Sequence, residues 1–517
     1  MRRSLLQEWP LILGIVLGCF GMWWLGRAFV PMDWPAGFDW ERYLRESWAY
    51  MHPGTMNSTW LEPLYSYVLG HLGDRFGWAW TGLVISSVAS FMVVAGAGLL
   101  GRALSGPWVG AIAAISIPLT PQLAAASRWV NLYPILSGTT ALGVACLAAF
   151  CRWPHWSWAV SGGVFSGLAW AIDGRTVTLL PGLVLLALTG ALGVVSPLRR
   201  GVLLVVALLG LTLGPGTQNG LRVVPRESTA QVAEILRGIE LSKLRNSPNP
   251  ALKAACLDEP SQVIDLSGLL RPCAAELAKD NSKRVDEGLP FGLGLTLLCL
   301  PLALLPGRGG RRDSWVVCLA ILPFVAMTLV MSRWIIVTPR YMMQIAAPAA
   351  VLVPLAVARI WQHLIQHRGR SRWSWAPMLG IGYWLANGGP GHVSKGPLES
   401  SSTYQMMAPV MSLIDEQLSS DDVLLDCSES HVEVAILPRT THRWPPNHEG
   451  HDWPRCADWL KDPEGESDAY MIVGNRTQIP GLVGLRVPPP WQQVLQSNGQ
   501  GQSIRVWKLS ANFNREP

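Results

Sequence analysis

The chain is 517 residues long, half of it hydrophobic and only 15% charged, against roughly 25% charged in an ordinary soluble domain. Its 26 Trp, 51 Gly and 39 Pro suit a polytopic membrane protein, since Trp favours membrane interfaces and Gly and Pro are tolerated in spanning helices. Disordered, coiled-coil, collagen-like and disulfide-scaffold classes are excluded, and the net charge of +6 is no sign of nucleic-acid binding, because cytoplasmic loops of membrane proteins collect arginine.

A spanning helix needs about 20 mostly apolar residues. Runs of that kind predict eleven helices, near residues 11–30, 80–100, 108–126, 135–150, 158–172, 177–194, 202–213, 291–305, 315–331, 343–361 and 373–386. The seventh and eleventh are short, so the parity of the count rests on them. The first is too long for a signal peptide and has no small-residue cleavage site, so it is read as retained. With the N-terminus inside, the cytoplasmic segments hold thirteen arginines, among them Arg102, Arg152 and Arg359, against two carboxylates, Glu8 and Asp313. This asymmetry predicts the orientation.

Three polar blocks then fall outside: residues 31–79, roughly 216–287, and the tail 387–517. The fold expected is mainly α, a transmembrane domain over residues 1–386 with surface helices in its first outer loop, followed by a small soluble α/β domain over 387–517. The runs DDVLLDC, AYMIVG and SIRVWKL supply the tail's strands. Two cysteines in each of the last two blocks allow one bridge each, Cys256 with Cys273 and Cys427 with Cys456, although sequence does not choose among connectivities.

The first outer loop is amphipathic and acidic. Asp39 opens a short surface helix with Tyr43, Leu44 and Trp48 on one face, and a second helix follows over about 63–72. A carboxylate held at the interface is partly desolvated, as a general base requires; the alternative role for Asp39 is an N-cap. His52 and Glu62, in the same loop, are candidates for a second acid/base group or a metal ligand; the alternative for both is an ordinary polar surface residue. One histidine and one carboxylate make a poor metal site. No ligand set demands a cofactor, and a divalent metal is left open.

The order Asp-x-x-x-Tyr, then a Pro-Leu-Tyr stretch ending in a Gly-rich turn and a second helix, resembles the GT-C superfamily of polytopic glycosyltransferases. The protein O-mannosyltransferases and the bacterial transferases that add aminoarabinose to lipid A are the most similar branches. Three further segments agree: Ser127-Arg128-Trp129-Val130-Asn131-Leu132-Tyr133-Pro134, the glycine-containing helix ending at Asp173-Gly174-Arg175, and Pro339-Arg340-Tyr341 before an Ala/Pro-rich helix. Asp173-Gly174 is unusual for the superfamily.

The resemblance implies a polyprenyl-phosphate sugar donor, a glycan, lipid or protein acceptor, and membrane lipids as the surrounding partners. It places the site and the C-terminal domain on the outer face of a membrane, expected to be the bacterial inner membrane. It makes Asp39 the base, and Arg340 with Tyr341, Arg175, Arg128, Tyr43 and His52 the substrate and donor-phosphate contacts, with Glu62 beside Asp39. Arginine offers phosphate a planar fork of donors; the alternative for Arg128, Arg175 and Arg340 is snorkelling to head groups. The competing classes are a transporter or scaffold and a surface-polysaccharide polymerase or ligase. Against transport, ionisable residues gather at the outer edge and not at the midplane.

Overall fold

The computed structural model of the chain describes residues 5–29, 43, 46, 47, 50, 51, 59, 62–76, 78–128, 130–193, 196–222, 231, 249–256, 276–281, 288–305, 315–320, 343–366, 377, 379–382, 409, 410, 412, 413, 416–418, 422–426, 468–474, 491–499 and 502–510. Among them the helices are α1 (Leu5–Phe29), α2 (Pro63–Phe76), α3 (Trp78–Leu104), α4 (Pro107–Ser116), α5 (Pro121–Ala126), α6 (Leu132–Arg152), α7 (Trp156–Ile172), α8 (Leu180–Leu192), α9 (Pro197–Gly220), α10 (Pro250–Cys256), α11 (Leu293–Ala303) and α12 (Ala346–Gln366). Five of the described helices, α1, α3, α6, α9 and α12, are long and apolar enough to cross a membrane. α6 and α12 are buried in the bundle, whereas α1 and α9 present long apolar faces outward, from Ile12 to Trp24 and from Leu198 to Leu213.

Several expected boundaries move for local reasons. The run 108–126 is not one helix: α4 ends at Ser116, and Thr120 takes an extended conformation before Pro121 restarts the chain as α5, because the residue before proline avoids the helical region. The run 177–194 begins as a 3-10 turn, Gly174–Leu179, before α8. α9 extends well beyond 202–213, since Ser196 caps its start by accepting from Arg199 N and its polar end, Thr217 to Gly220, stays helical. The second loop therefore begins after Gly220 and not near Gly216. Of 315–331 and 373–386 only fragments lie among the described residues, and so does only part of the division at 386. Cys273, Cys427 and Cys456 lie outside them.

Small residues bring the helices together, as they do where lipid gives no hydrophobic drive between helices. α7 and α9 touch backbone to backbone: a Cβ on Gly167 would collide with the Gly210 carbonyl oxygen, and one on Gly210 would meet the Gly163 carbonyl carbon at 2.5 Å. Gln218 Nε2 adds a bond to the Trp170 carbonyl, 2.8 Å away. Gly167→Val should therefore force the two helices apart, costing about 1–3 kcal/mol by overpacking; the melting temperature of the purified protein checks this, with Gly201→Ala, where a Cβ meets nothing within 4 Å, as the control.

The helix ends sort into two groups. At one end Arg102 donates twice to Glu8, at 2.6 and 2.8 Å, and lies 4.2 Å over the Trp153 ring, while Trp9 meets Trp108 edge-on. At the other, Ser127 Oγ donates to the carbonyls of Ala124 and Met22, beside the C-terminal part of α1. Arg102, Arg152 and Arg359 thus lie at one end and Arg128 and Arg222 at the other.

Four strands form a separate sheet near the C-terminus: β1 (Val423–Asp426), β2 (Ala469–Gly474), β3 (Gln492–Gly499) and β4 (Gln502–Leu509), in the order β1-β2-β4-β3. β1 and β2 are parallel, the other pairs antiparallel, and β3 carries an irregularity between Gln493 and Leu495. Tyr470, Met471 and Ile472 are buried, so the centre of the sheet is covered on both faces.

Candidate active site at one end of the helix bundle

Four elements converge at the end of the bundle opposite Glu8 and Arg102. The loop between α1 and α2 contributes Tyr43, Glu46, Ser47, Tyr50 and Met51, all helical. The first four are buried at i, i+3, i+4, i+7 spacing, one helical face, and Ser47 Oγ donates to the Tyr43 carbonyl at 2.6 Å. Tyr43 packs edge-on against Tyr65 of α2, ring centroids 5.5 Å apart. The expected face ran through Tyr43, Leu44 and Trp48; Leu44 and Trp48 lie outside the described residues, and the buried face also carries a carboxylate.

Glu62 stands immediately before α2 and is 7% exposed. Arg222, just past the end of α9, donates from Nη2 to Glu62 Oε2 at 2.8 Å. The α7–α9 contact holds this arginine beside the end of α7, where Asp173 and Gly174 open the 3-10 turn. A Cβ on Gly174 would lie 3.1 Å from Glu62 Oε1, so glycine here lets the turn approach the carboxylate. The Asp173-Gly174-Arg175 segment and the first loop, 112 positions apart from Glu62 to Gly174 in sequence numbering, are thereby brought together.

Tyr50 completes the cluster. Its phenol is pushed up to about 12, chiefly by burial, against the opposing pull of Arg222 and with a further rise from Glu46 and Glu62. The hydroxyl therefore keeps its proton at any physiological pH. Tyr50 Oη and Arg222 Nη1 are both buried without a hydrogen-bond partner among the described residues. Two donors are thus left over next to one ion pair, the arrangement that an oxyanion would satisfy.

The other expected site residues fall as follows. Asn131 caps α6 by accepting from Tyr133 N at 3.1 Å, so the 127–134 segment is a helix start. Arg128, 9% exposed, lies with its stem toward α1 at Gly26. The backbone of Arg175 lies in the 3-10 turn. Asp39, His52, Arg340 and Tyr341 lie outside the described residues. Glu46, Tyr50 and Arg222 were not among the expected site residues; the i, i+3, i+4, i+7 spacing of residues 43–50 was the available signal for the first two.

No protein-family model matches the chain, and no curated protein is similar to it in sequence. Solved structures match it in fold. ArnT from Cupriavidus metallidurans bound to undecaprenyl phosphate aligns with a TM-score of 0.53 at 13% identity, over 96% of this chain and 97% of that one. The apo form of the same protein gives 0.52 at 15%, with the same coverage. The overall fold is that of ArnT. The likeness runs nearly end to end, so it takes in both the helical bundle and the C-terminal sheet.

Proposed function

We propose that this chain is a GT-C membrane glycosyltransferase that moves a sugar from a polyprenyl-phosphate carrier to an acceptor hydroxyl at one face of the membrane. The observation that carries the proposal is the cluster at the bundle end, with the unpartnered donors of Tyr50 and Arg222 beside Glu62, within a fold that aligns end to end with a protein holding undecaprenyl phosphate. The arginine asymmetry of the loops supports an outer location for this face and for the C-terminal domain.

In the mechanism, Asp39 takes the proton from the acceptor hydroxyl as its oxygen attacks the anomeric carbon, with inversion. The bond from that carbon to the phosphate oxygen breaks, and its electron pair stays on the polyprenyl phosphate. Arg340, with Arg175 or Arg128 and Tyr341 beside it, neutralises the charge that builds there, and Arg222 and Tyr50 add two donors on the Glu62 side. Tyr43 and His52 remain the further substrate contacts that the resemblance implies.

Transfer of labelled sugar from a polyprenyl-phosphate donor in purified membranes tests the proposal. Arg340→Ala should weaken donor use far more than Arg340→Lys, because lysine keeps a point charge although the bidentate fork is lost. Undiminished transfer in Arg340→Ala, at normal protein level, would return Arg340 to a head-group contact.

A further inference from the structure

The end of the bundle opposite the proposed active site carries a polar cluster that the transfer reaction does not use. Arg359, Gln362 and His363 lie in the last two turns of α12 and share one face by their i, i+3, i+4 spacing. Arg359 is 1% exposed, and its Nη2 donates to the carbonyl of Leu104, the last residue of α3, at 3.3 Å. This face therefore looks at the turn between α3 and α4, which contains Ser105 and Gly106. Gly106 holds a φ of 136°, a conformation suited to glycine, and space stays open where its Cβ would stand. Ser105 Oγ, Gln362 Oε1 and His363 Nε2 are each buried without a hydrogen-bond partner among the described residues.

We propose that this cluster binds the phosphate of an anionic membrane lipid. Arg359 supplies a permanent positive charge, and the Ser105 hydroxyl, the His363 imidazole and the Gln362 amide can each turn a donor toward phosphate oxygens. Glu8, the carboxylate described at this end, already accepts both bonds from Arg102, so the balance near the cluster is positive. The depth suits a head group: Trp9, Trp108 and the Arg102–Trp153 pair mark the same end of the spanning helices, where an aromatic belt sits at the interface. A lipid, delivered along the membrane, reaches the ends of spanning helices more readily than a phosphate dissolved in water, and basic groups between such helix ends select anionic head groups. The inference is independent of the transferase reading.

The test uses the full-length protein in two kinds of vesicle, phosphatidylcholine alone and phosphatidylcholine with phosphatidylglycerol. Native mass spectrometry should show retained phosphatidylglycerol, and the melting temperature should be higher in the mixed vesicles. The paired change Gln362→Ala with His363→Ala leaves the Arg359 bond to Leu104 in place, and so should keep the melting temperature in phosphatidylcholine while cutting retention roughly fivefold to tenfold. Arg359→Lys should cut retention likewise, and if that variant does not fold the paired change decides alone. Equal retention by wild type and the paired variant, or equal melting in both vesicles, would overturn the proposal. Stabilisation by inorganic phosphate in phosphatidylcholine, equal to that by the charged lipid, would overturn the lipid assignment.

Discussion

Replacing Asp39 by Asn should lower turnover by roughly 10² to 10⁴, the usual worth of a general base, while the melting temperature stays nearly unchanged. The two readouts diverge because Asn is as good a helix N-cap as Asp: a capping aspartate tolerates the substitution in both measurements, and a catalytic one fails in the first alone. The assay follows sugar transfer from a polyprenyl-phosphate donor at saturating acceptor, with protein level measured alongside. Because the proton is removed as the acceptor oxygen attacks, the loss should fall on kcat more than on the KM for the donor. Full activity in Asp39→Asn would remove the base assignment and make Glu62 the next candidate.

The bundle was legible in the sequence because hydropathy and charge act on whole segments. The long runs behind α1, α3, α6 and α12 are visible in any window of about 20 residues, and the described Arg102, Arg152 and Arg359 lie at one end of the bundle. What was misjudged is local. Pro121 and the extended Thr120 divide a run whose composition is uniformly apolar, and Ser196 starts α9 several residues before its apolar stretch. Three of the four strands were recognisable by their β-branched and aromatic content. β3, QQVLQSNG, was not, since an edge strand exposes most of its side chains and has little need of an alternating apolar pattern.

The site was legible only in part, for a different reason. Motif resemblance weighted residues next to recognisable signatures, Asp39 at a helix start and Arg340 in an Arg-Tyr pair, whereas Arg222 follows an ordinary helix end and resembles nothing. Its importance comes from where the glycine contact of α7 with α9 delivers it, and that is a property of packing. By sequence Glu46 is one more acidic residue of the first loop; its position on the buried face makes the Tyr50 phenol feel its charge.

Arg222→Ala should lower kcat/KM for the donor about 10²-fold to 10³-fold, the cost of removing a preorganised donor to a developing oxyanion, with Tyr50→Phe acting in the same direction but less strongly because the lost donor is uncharged. Glu62 separates two possibilities. If it serves to hold Arg222, Glu62→Gln should mainly raise the KM for the donor and leave kcat nearly intact, since the amide oxygen can still accept from the guanidinium. If it serves as a base, kcat should fall and KM should hold. Stability gives an independent reading of the pair: Glu62 is 7% and Arg222 17% exposed, so either truncation to Ala leaves a largely buried charge without its partner, costing about 2–4 kcal/mol. The double truncation should cost less than the two singles together, by about 0.5–3 kcal/mol, because no charge is then stranded. Strict additivity in both melting temperature and donor kinetics would mean that Glu62 and Arg222 act independently, and the oxyanion role would then rest on Arg340 and its neighbours alone.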